Sequence, residues 1–120
     1  MVAGGTGITP LFQIIQYCCD KESEDERPGL YLLFANRTED DILMKQILDR
    51  YAEKNYNVKI FYSVDKKITD NWDGMVGFVD EEKVKKSIPE DIKETLFMSC
   101  GPPPLCNNTE KIWKNLGVPN

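Results

Sequence analysis

The chain has 120 residues, a net charge of −5 and 41% hydrophobic side chains, which suits one small domain built around one core. Its acidic balance and lack of a basic cluster argue against nucleic acid as a partner, because phosphate binding needs a concentrated cationic face. No apolar run reaches the roughly 18 residues of a membrane-spanning helix, and the four cysteines lack a disulfide or zinc spacing, so we expect no metal site and a reducing, cytoplasmic compartment.

Apolar runs suited to buried strands alternate with amphipathic stretches along the chain. We expect, in order, a strand at 1–3, a helix from about 10 to 19, a charged loop at 20–27, a strand at 30–35, a helix from 38 to about 55, a strand at 58–64, a glycine-bearing loop, a short helix from about 80, a strand at 96–99 and a helix at 105–116. Thr9 is expected to cap the first helix, with Pro10 at its first position. The second helix is expected to bury a stripe that includes Ile42, Ile47 and Leu48.

Strands that alternate with helices predict an α/β fold, a three-layer doubly wound parallel sheet with right-handed crossovers. Ligands on such sheets bind beyond the carboxyl ends of the strands. Two unusual loops, Gly4 to Thr9 and Cys100 to Pro104, each leave a strand at that end. We therefore expect a shared site within a single domain covering residues 1–120. Because the chain has no histidine, the commonest general base, a cofactor is expected to carry the chemistry.

The sharpest motif is the glycine-rich turn from Gly4 to Pro10, whose glycines let the backbone approach a ligand closely. The helix that follows offers free N–H groups and a positive dipole end, which suit the pyrophosphate of a dinucleotide. A tight turn without a ligand explains the same residues equally well, and the spacing departs from the Rossmann G-x-G-x-x-G fingerprint. Taken alone, this motif leaves both interpretations open.

The motif Gly-Gly-Thr-Gly-Ile-Thr-Pro, followed far downstream by Cys-Gly-Pro-Pro, resembles the paired signature of the nucleotide domain of the ferredoxin-NADP reductase superfamily. The segments at 34–43, 62–65 and 77–79 resemble its cytochrome b5 reductase branch. The resemblance covers essentially the whole chain. It implies the ferredoxin reductase-like C-terminal NAD-binding fold and a flavin-dependent oxidoreductase that uses NADH.

In such reductases the nicotinamide lies against the flavin between the two loops. The residues that match cofactor-binding positions are Gly4, Gly5, Thr6, Gly7, Thr9, Pro10, Asp65, Phe78, Cys100, Gly101, Pro102 and Pro103. Thr6 and Cys100 match positions beside the reacting ring and are assigned a catalytic role by this resemblance, while Thr9 matches one that touches FAD. Cys100 is expected to pack its polarizable sulfur on the ring, since no base is evident to make it a nucleophile. A small buried residue at a strand end is the alternative.

Asp65 matches the acidic residue that selects NADH in this branch. A carboxylate at a strand end can accept hydrogen bonds from the adenosine ribose and repel the 2′-phosphate of NADPH. An ordinary turn aspartate is the alternative, and Lys66 and Lys67 can soften the repulsion. Phe78 matches a position near the adenine, with plain core as its alternative. Arg37 can pair with a phosphate, but an exposed, solvated role is favoured.

The resemblance also implies an amino-terminal FAD-binding barrel with an Arg-x-Tyr-Ser/Thr motif, and this chain contains no such segment. We therefore expect FAD to be held mainly by a missing domain, and membrane association to depend on segments outside this chain. In the intact enzyme, electrons are expected to pass from NADH through FAD to cytochrome b5 or a similar haem protein. The alternatives are the NADH domain of a nitrate-reductase-type flavoprotein and a nucleotide-binding module without turnover.

Overall fold

A computed structural model describes residues 1–20 and 27–119, so most of the charged loop expected at 20–27 lies outside the described residues. The elements in chain order are β1 (Val2–Gly4), α1 (Ile8–Cys19), β2 (Leu30–Asn36), α2 (Lys45–Lys54), β3 (Val58–Val64), β4 (Met75–Val76), α3 (Glu81–Lys86), β5 (Ser99–Cys100) and α4 (Pro103–Asn115), with 3₁₀ turns at Gly5–Gly7 and Glu39–Asp41. Strand β3 has the predicted bounds, and β2 extends one residue beyond its predicted end.

The sheet has five strands in the order β4-β3-β2-β1-β5, and every described pair is parallel. The longest ladder joins β2 to β3, from the pair Leu30 and Val58 to the pair Asn36 and Val64. From β1 the chain winds outward through β2, β3 and β4, and it then returns to the other side of β1 for β5. This reversal confirms the doubly wound topology and opens a crevice beyond the carboxyl ends of the strands.

Two apolar clusters cover the two faces of the sheet, so the domain has three layers, with helices on each side of the sheet. Ile15 of α1 and Leu48 of α2 pack with Phe34 on one face. Val84 of α3 and Trp113 of α4 pack with Leu33 on the other. Because successive side chains of a strand point to opposite faces, the adjacent residues Leu33 and Phe34 of β2 serve one cluster each. The predicted α/β architecture with helices on both faces is therefore confirmed.

The start of α1 differs from its prediction. The helix begins at Ile8, with Gly7 as its N-cap, and no side-chain hydrogen bond caps it, so Thr9 is not the cap. The reason is that the preceding 3₁₀ turn runs directly into the helix, since Gly7 already has helical angles of φ −62° and ψ −10°. Pro10 is accordingly the third helical residue, still within the first turn, where an N–H has no intrahelical partner.

The segment that follows β2 also differs, because one predicted helix is two separate pieces. Thr38 closes a capping box on the 3₁₀ turn by donating its N–H and its hydroxyl to Asp41 Oδ2 at 3.1 and 2.9 Å. Met44 then adopts a left-handed φ of 62°, and α2 begins after it. This break changes which side chains of α2 face the sheet: Leu48 is fully buried, whereas Ile47 is 42% exposed and does not belong to the core stripe.

The two edge strands of the sheet, β4 and β5, differ from what the apolar pattern predicts. Strand β4 has only two residues and was not predicted at all. Strand β5 occupies Ser99–Cys100, and Leu96, the predicted first strand residue, is 77% exposed. Helix α4 begins at Pro103, two residues before its predicted start at Leu105, because proline at the first helical position needs no N–H partner.

The hydroxyl of Tyr62 in β3 makes a partly buried hydrogen bond to α2. It donates a 2.6 Å hydrogen bond to Asp49 Oδ1, and Lys45 lies 4.9 Å above its ring. Burial is the main cause that raises the pKa of Tyr62, and the hydrogen bond to Asp49 and the negative charge of Asp49 raise it further. The contribution of the protonated Tyr62 hydroxyl to the free energy of unfolding is therefore complete below about pH 10, the ordinary pKa of tyrosine. It is lost as the pH rises through the pKa of Tyr62 in the folded state.

We expect Tyr62→Phe to lower the free energy of unfolding by about 1 kcal/mol, the usual net value of one intramolecular hydrogen bond. Urea denaturation at pH 7 measures this loss. Tyr31→Phe is the matched control, because within the described chain the Tyr31 hydroxyl has no hydrogen bond, and the contact of Lys59 with its ring does not depend on that hydroxyl. Equal losses in the two variants would contradict the assignment.

Candidate functional site

The turns that follow β1 and β5 meet at the crevice, although they lie far apart in sequence. Gly7 leaves no room for a side chain: an added Cβ would stand 2.7 Å from the Gly101 nitrogen and closer still to the Cys100 carbonyl. A Cβ on Gly101 would stand 3.0 Å from the Gly4 nitrogen. The expected convergence of the two loops is therefore observed, and it depends on backbone packed directly against backbone.

A cleft of about 550 Å³ lies beside this contact, beyond the carboxyl ends of the strands. Each of the three central strand ends, the turn after β4 and the start of α4 contributes to its wall. The lining residues are Gly4, Gly5, Thr6, Ala35, Asn36, Arg37, Asp41, Leu43, Asp65, Phe78, Val79, Pro102, Pro104, Leu105 and Asn108. A volume in this range is typical of sites for small molecules and cofactors.

The residues predicted to bind cofactors fall into two groups. Six of them line the cleft: Gly4, Gly5, Thr6, Asp65, Phe78 and Pro102. The others lie outside its lining: Gly7 is buried, Cys100 and Gly101 are half-buried beside it, and Thr9, Pro10 and Pro103 are exposed on the first turns of α1 and α4. Cys100 packs in part against the apolar cluster that contains Ala3 and Ile8. The cofactor-binding roles of all twelve residues remain predictions.

Asp65 stands where β3 ends, held by the neighbouring strand. Its N–H donates to the Asn36 carbonyl at 3.0 Å, and the next N–H, that of Lys66, donates to the Arg37 carbonyl at 3.0 Å. The Asp65 side chain is exposed at the cleft wall. Neither Lys66 nor Lys67 lines the cleft, and Lys67 lies 4.0 Å from Asp70 instead. Among the described lining residues, Arg37 supplies the positive charge, and its side chain is exposed, as expected from the sequence.

Phe78 is 83% exposed, so the interpretation of this residue as plain core is wrong. The turn that presents it has a fixed backbone. Gly77 adopts φ 102°, which favours glycine, and donates its N–H to the Val64 carbonyl at 2.8 Å. On the other side, Asn108 Nδ2 of α4 donates to the Val79 carbonyl at 2.8 Å. The ring therefore projects from a braced turn at the rim of the cleft.

Asn36 is a lining residue that sequence reasoning missed. It is only 8% exposed, and its Nδ2 has no hydrogen-bond partner in the described part of the chain. An unpartnered buried amide is costly unless a further partner completes it. Its position as the polar end of an apolar strand, at the carboxyl edge of a parallel sheet, is the signal that would have identified it. Asp41, Leu43 and Asn108 carried no comparable signal.

The cleft has the features that a dinucleotide needs. Gly4 and Gly5 present backbone without side chains, and α1 and α4 both begin at this edge, where helix N-termini favour negative charge. Arg37 adds a cation, Phe78 an exposed ring and Asp65 a carboxylate at separate points of the wall. The residues present therefore fit a pyridine dinucleotide. In the described ranges, no group of three or more cysteine, aspartate or glutamate side chains is arranged to hold a metal ion.

Comparison with known proteins tests the family resemblance that the sequence motifs indicate. The sequence model of the family described as "Oxidoreductase NAD-binding domain" matches residues 1–111. A nitrate reductase [NADH] of Cucurbita maxima is 46% identical over 103 residues, which are 86% of this chain and 11% of that protein. The chain thus spans about a ninth of the length of this relative.

Solved structures agree with this assignment. The cytochrome b5 reductase domain of Ulva prolifera nitrate reductase matches 100% of this chain and 45% of its own length, with a TM-score of 0.91 and 33% identity. The flavohemoglobin of Malassezia yamatoensis, solved with bound FAD and heme, matches 99% of this chain and 28% of its own length, with a TM-score of 0.76. At 20% identity, this second match shows the fold alone.

The resemblance to the cytochrome b5 reductase branch is therefore confirmed, and so is the ferredoxin reductase-like fold. None of the helices in the described residues is both long and apolar enough to traverse a bilayer. A family model that matches nearly the whole sequence, a full-length structural match and a cleft suited to a dinucleotide converge on one assignment: this chain belongs to the oxidoreductase NAD-binding domain family.

Proposed function

We propose that this chain binds NADH in the cleft and holds its nicotinamide for hydride transfer to FAD carried by a separate flavin-binding half. The observation that carries the proposal is the cleft at the strand-order reversal, bounded by Gly4–Thr6 on one side and by Asp65 and Phe78 on the other. The name of the Cucurbita maxima relative and the match to the Ulva prolifera domain favour a nitrate-reductase-type flavoprotein over a separate cytochrome b5 reductase.

The proposed orientation follows from the chemistry of the cleft walls. The Asp65 carboxylate accepts hydrogen bonds from the adenosine ribose, and the exposed Phe78 ring packs on the adenine. Arg37 lies in the lining at the end of β2 and neutralises the pyrophosphate. The nicotinamide then reaches toward Thr6 and Pro102, where the two turns meet.

Positioning is the main contribution of this chain to the reaction. When bound, NADH supplies the hydride, and the protein holds donor and acceptor close together and excludes water. Thr6 lines the cleft and is proposed to orient the carboxamide side of the ring. Cys100 is half-buried next to Gly7 and is proposed to pack its sulfur near the ring rather than to react.

The proposed flavin half faces the side of the two turns that the cleft leaves uncovered. Thr9, Pro10 and Pro103 are exposed on the first turns of α1 and α4, which supports contact of these residues with FAD or with the domain that holds it. Electron transfer onward to cytochrome b5 or a similar haem protein is part of the proposal for the intact protein. A cytoplasmic location is also proposed, and the four free cysteines fit a reducing compartment.

Nuclear magnetic resonance titration of the ¹⁵N-labelled chain with NADH tests the binding step. We expect the amide shifts of Gly5, Thr6 and Asp65 to change most, because these residues line the cleft. Residues around Leu96, at the amino end of the sheet, are expected to stay unchanged. Changes confined to that opposite end, or no saturable changes, would contradict the proposal.

A chimera tests the hydride step and the alternative of a binding module without turnover. The chain replaces the matching 45% of the Ulva prolifera reductase domain, and the remainder of that domain is proposed to supply the flavin half. NADH is expected to bleach the flavin absorbance of this chimera. A chimera that binds both FAD and NADH and still leaves the flavin oxidised would favour the module without turnover.

Phe78→Ala separates binding from folding. Because the ring is 83% exposed, its removal is expected to change the free energy of unfolding by less than about 0.5 kcal/mol. NADH affinity is expected to fall roughly fivefold through lost stacking on the adenine. Leu96→Ala is the control, since Leu96 is 77% exposed at the far end of the sheet and should leave affinity unchanged. Equal affinities of Phe78→Ala and wild type would remove Phe78 from the site.

A further inference from the structure

Glu39 makes a contact that the site described above does not use. Its Oε2 accepts hydrogen bonds from the Thr69 N–H at 3.1 Å and from the Thr69 hydroxyl at 2.7 Å, while its Oε1 accepts from the Ile68 N–H. Three donors from one loop therefore converge on one carboxylate. Sequence separation is about thirty residues, so the contact is tertiary and not a local turn motif.

The partners of Glu39 connect two walls of the cleft. Glu39 lies in the 3₁₀ turn after β2, and Asp41 in that same turn lines the cleft. The loop it grips begins at Asp65, the lining residue at the end of β3. Near the strands, backbone hydrogen bonds already join these walls. Glu39 adds an anchor farther along the loop, at Ile68 and Thr69.

We infer that Glu39 is a positioning residue for the adenosine side of the nucleotide site: its carboxylate fixes the loop at 65–69 so that the Asp65 side chain is already placed when NADH arrives. This inference rests on the proposed function. An ordered loop raises affinity because the conformational entropy that binding would otherwise have to remove is already lost in the folded protein. Glu39 itself does not line the cleft and is not expected to contact the nucleotide.

The electrostatics of Glu39 are consistent with a fixed, ionised anchor. Desolvation works to raise its pKa, but the Thr69 hydroxyl, the Ile68 and Thr69 N–H groups and the charge of Lys67 together hold the pKa below its usual range. Asp40, the next residue of the same turn, is exposed and makes no side-chain hydrogen bond among the described contacts. The turn therefore contains one anchoring carboxylate and one neighbour suited to serve as a control.

Glu39→Gln and Asp40→Asn remove the same charge from adjacent positions, so they form a matched pair. Only the first also removes an acceptor oxygen from the Ile68 and Thr69 donors, because a side-chain amide nitrogen cannot accept a hydrogen bond. Isothermal titration of the chain with NADH, with ADP-ribose and with reduced nicotinamide mononucleotide measures the affinity for the whole ligand and for each half. Amide hydrogen exchange of Ile68 and Thr69 reports the order of the loop.

We expect Glu39→Gln to weaken both NADH and ADP-ribose roughly threefold, the order of an exposed charged contact. The Ile68 and Thr69 amides of Glu39→Gln should exchange faster than those of the wild type. Its affinity for reduced nicotinamide mononucleotide and its melting temperature should stay unchanged. Asp40→Asn should bind all three ligands with the wild-type affinity. Thr69→Val, which removes the hydroxyl but keeps both N–H donors, should give a smaller loss, and the double variant should lose less than the sum of the two single losses.

The possible failures are distinguishable. Wild-type chain that binds neither NADH nor ADP-ribose would overturn the proposed function and this inference together. Wild-type binding with equal affinity in Glu39→Gln, or an equal loss in Asp40→Asn, would overturn the inference alone. An equal loss for the nicotinamide half would also overturn it, because a role confined to the adenosine side does not affect that half.

Discussion

Gly7→Ala is expected to lower the free energy of unfolding by about 3 kcal/mol or more, the upper range for overpacking a site that cannot relax. The added methyl group would overlap the Cys100 carbonyl and stand 2.7 Å from the Gly101 nitrogen, and both obstacles are backbone. The backbone angles at Gly7, φ −62° and ψ −10°, suit alanine, so the predicted loss comes from the close approach and not from conformational strain. For a marginally stable domain this loss is a large fraction of the total free energy of unfolding.

Urea denaturation followed by circular dichroism measures the effect, with Gly29→Ala as the control. The nearest atom to an added methyl group at Gly29 is 3.9 Å away, in the Tyr31 ring, which is ordinary contact. Gly29→Ala is expected to stay within about 0.5 kcal/mol of wild type. A Gly7→Ala variant as stable as this control would show that the two turns are not packed together.

Asp65→Ala is expected to change the ratio of NADH to NADPH affinity roughly tenfold, about 1.4 kcal/mol. Two effects act in the same direction. NADH loses a carboxylate acceptor for its ribose hydroxyls, and NADPH loses the repulsion of its 2′-phosphate. Since Asp65 is exposed at the cleft wall, the repulsive part is also expected to weaken in high salt for the wild-type chain.

Parallel titrations with NADH and NADPH at low and high salt measure this ratio. Asp70→Asn is the control, because Asp70 belongs to the same loop and carries the same charge but does not line the cleft. It is expected to leave the ratio within about twofold of wild type. A ratio that Asp65→Ala and Asp70→Asn change equally would place the adenosine ribose elsewhere.

The parts of the fold that follow from local pattern were predictable. Strand β2 is a near-continuous apolar run and β3 is rich in β-branched and aromatic residues, and the bounds of both strands agree with the pattern to within one residue. The left-handed Met44 was not predictable, because nothing in its local sequence favours a positive φ at methionine. Strand β4 is too short for a periodic signal and exists through its pairing with β3.

The site was predictable to a similar degree. Parallel topology alone places Gly4–Thr6, Asp65 and the turn after β5 at one edge of the sheet. The resemblance to a family then suggested what each position binds. Asn108 was missed because its function in the wall, bracing the carbonyl of Val79, depends on how α4 packs. The exposure of Phe78 depends in the same way on a turn held from two sides, which no spacing of residues indicates.

The contact of Gly7 with Cys100 and Gly101 has a consequence for biosynthesis. The walls of the cleft come from segments that lie far apart in sequence, so a growing polypeptide cannot form the site until β5 and the start of α4 have been made and have docked beside β1. Such distant pairing is slow to form, because a long stretch of chain must close first. A nucleotide that binds only the finished domain stabilises it by mass action, so cellular cofactor supply would directly influence how much newly made protein survives.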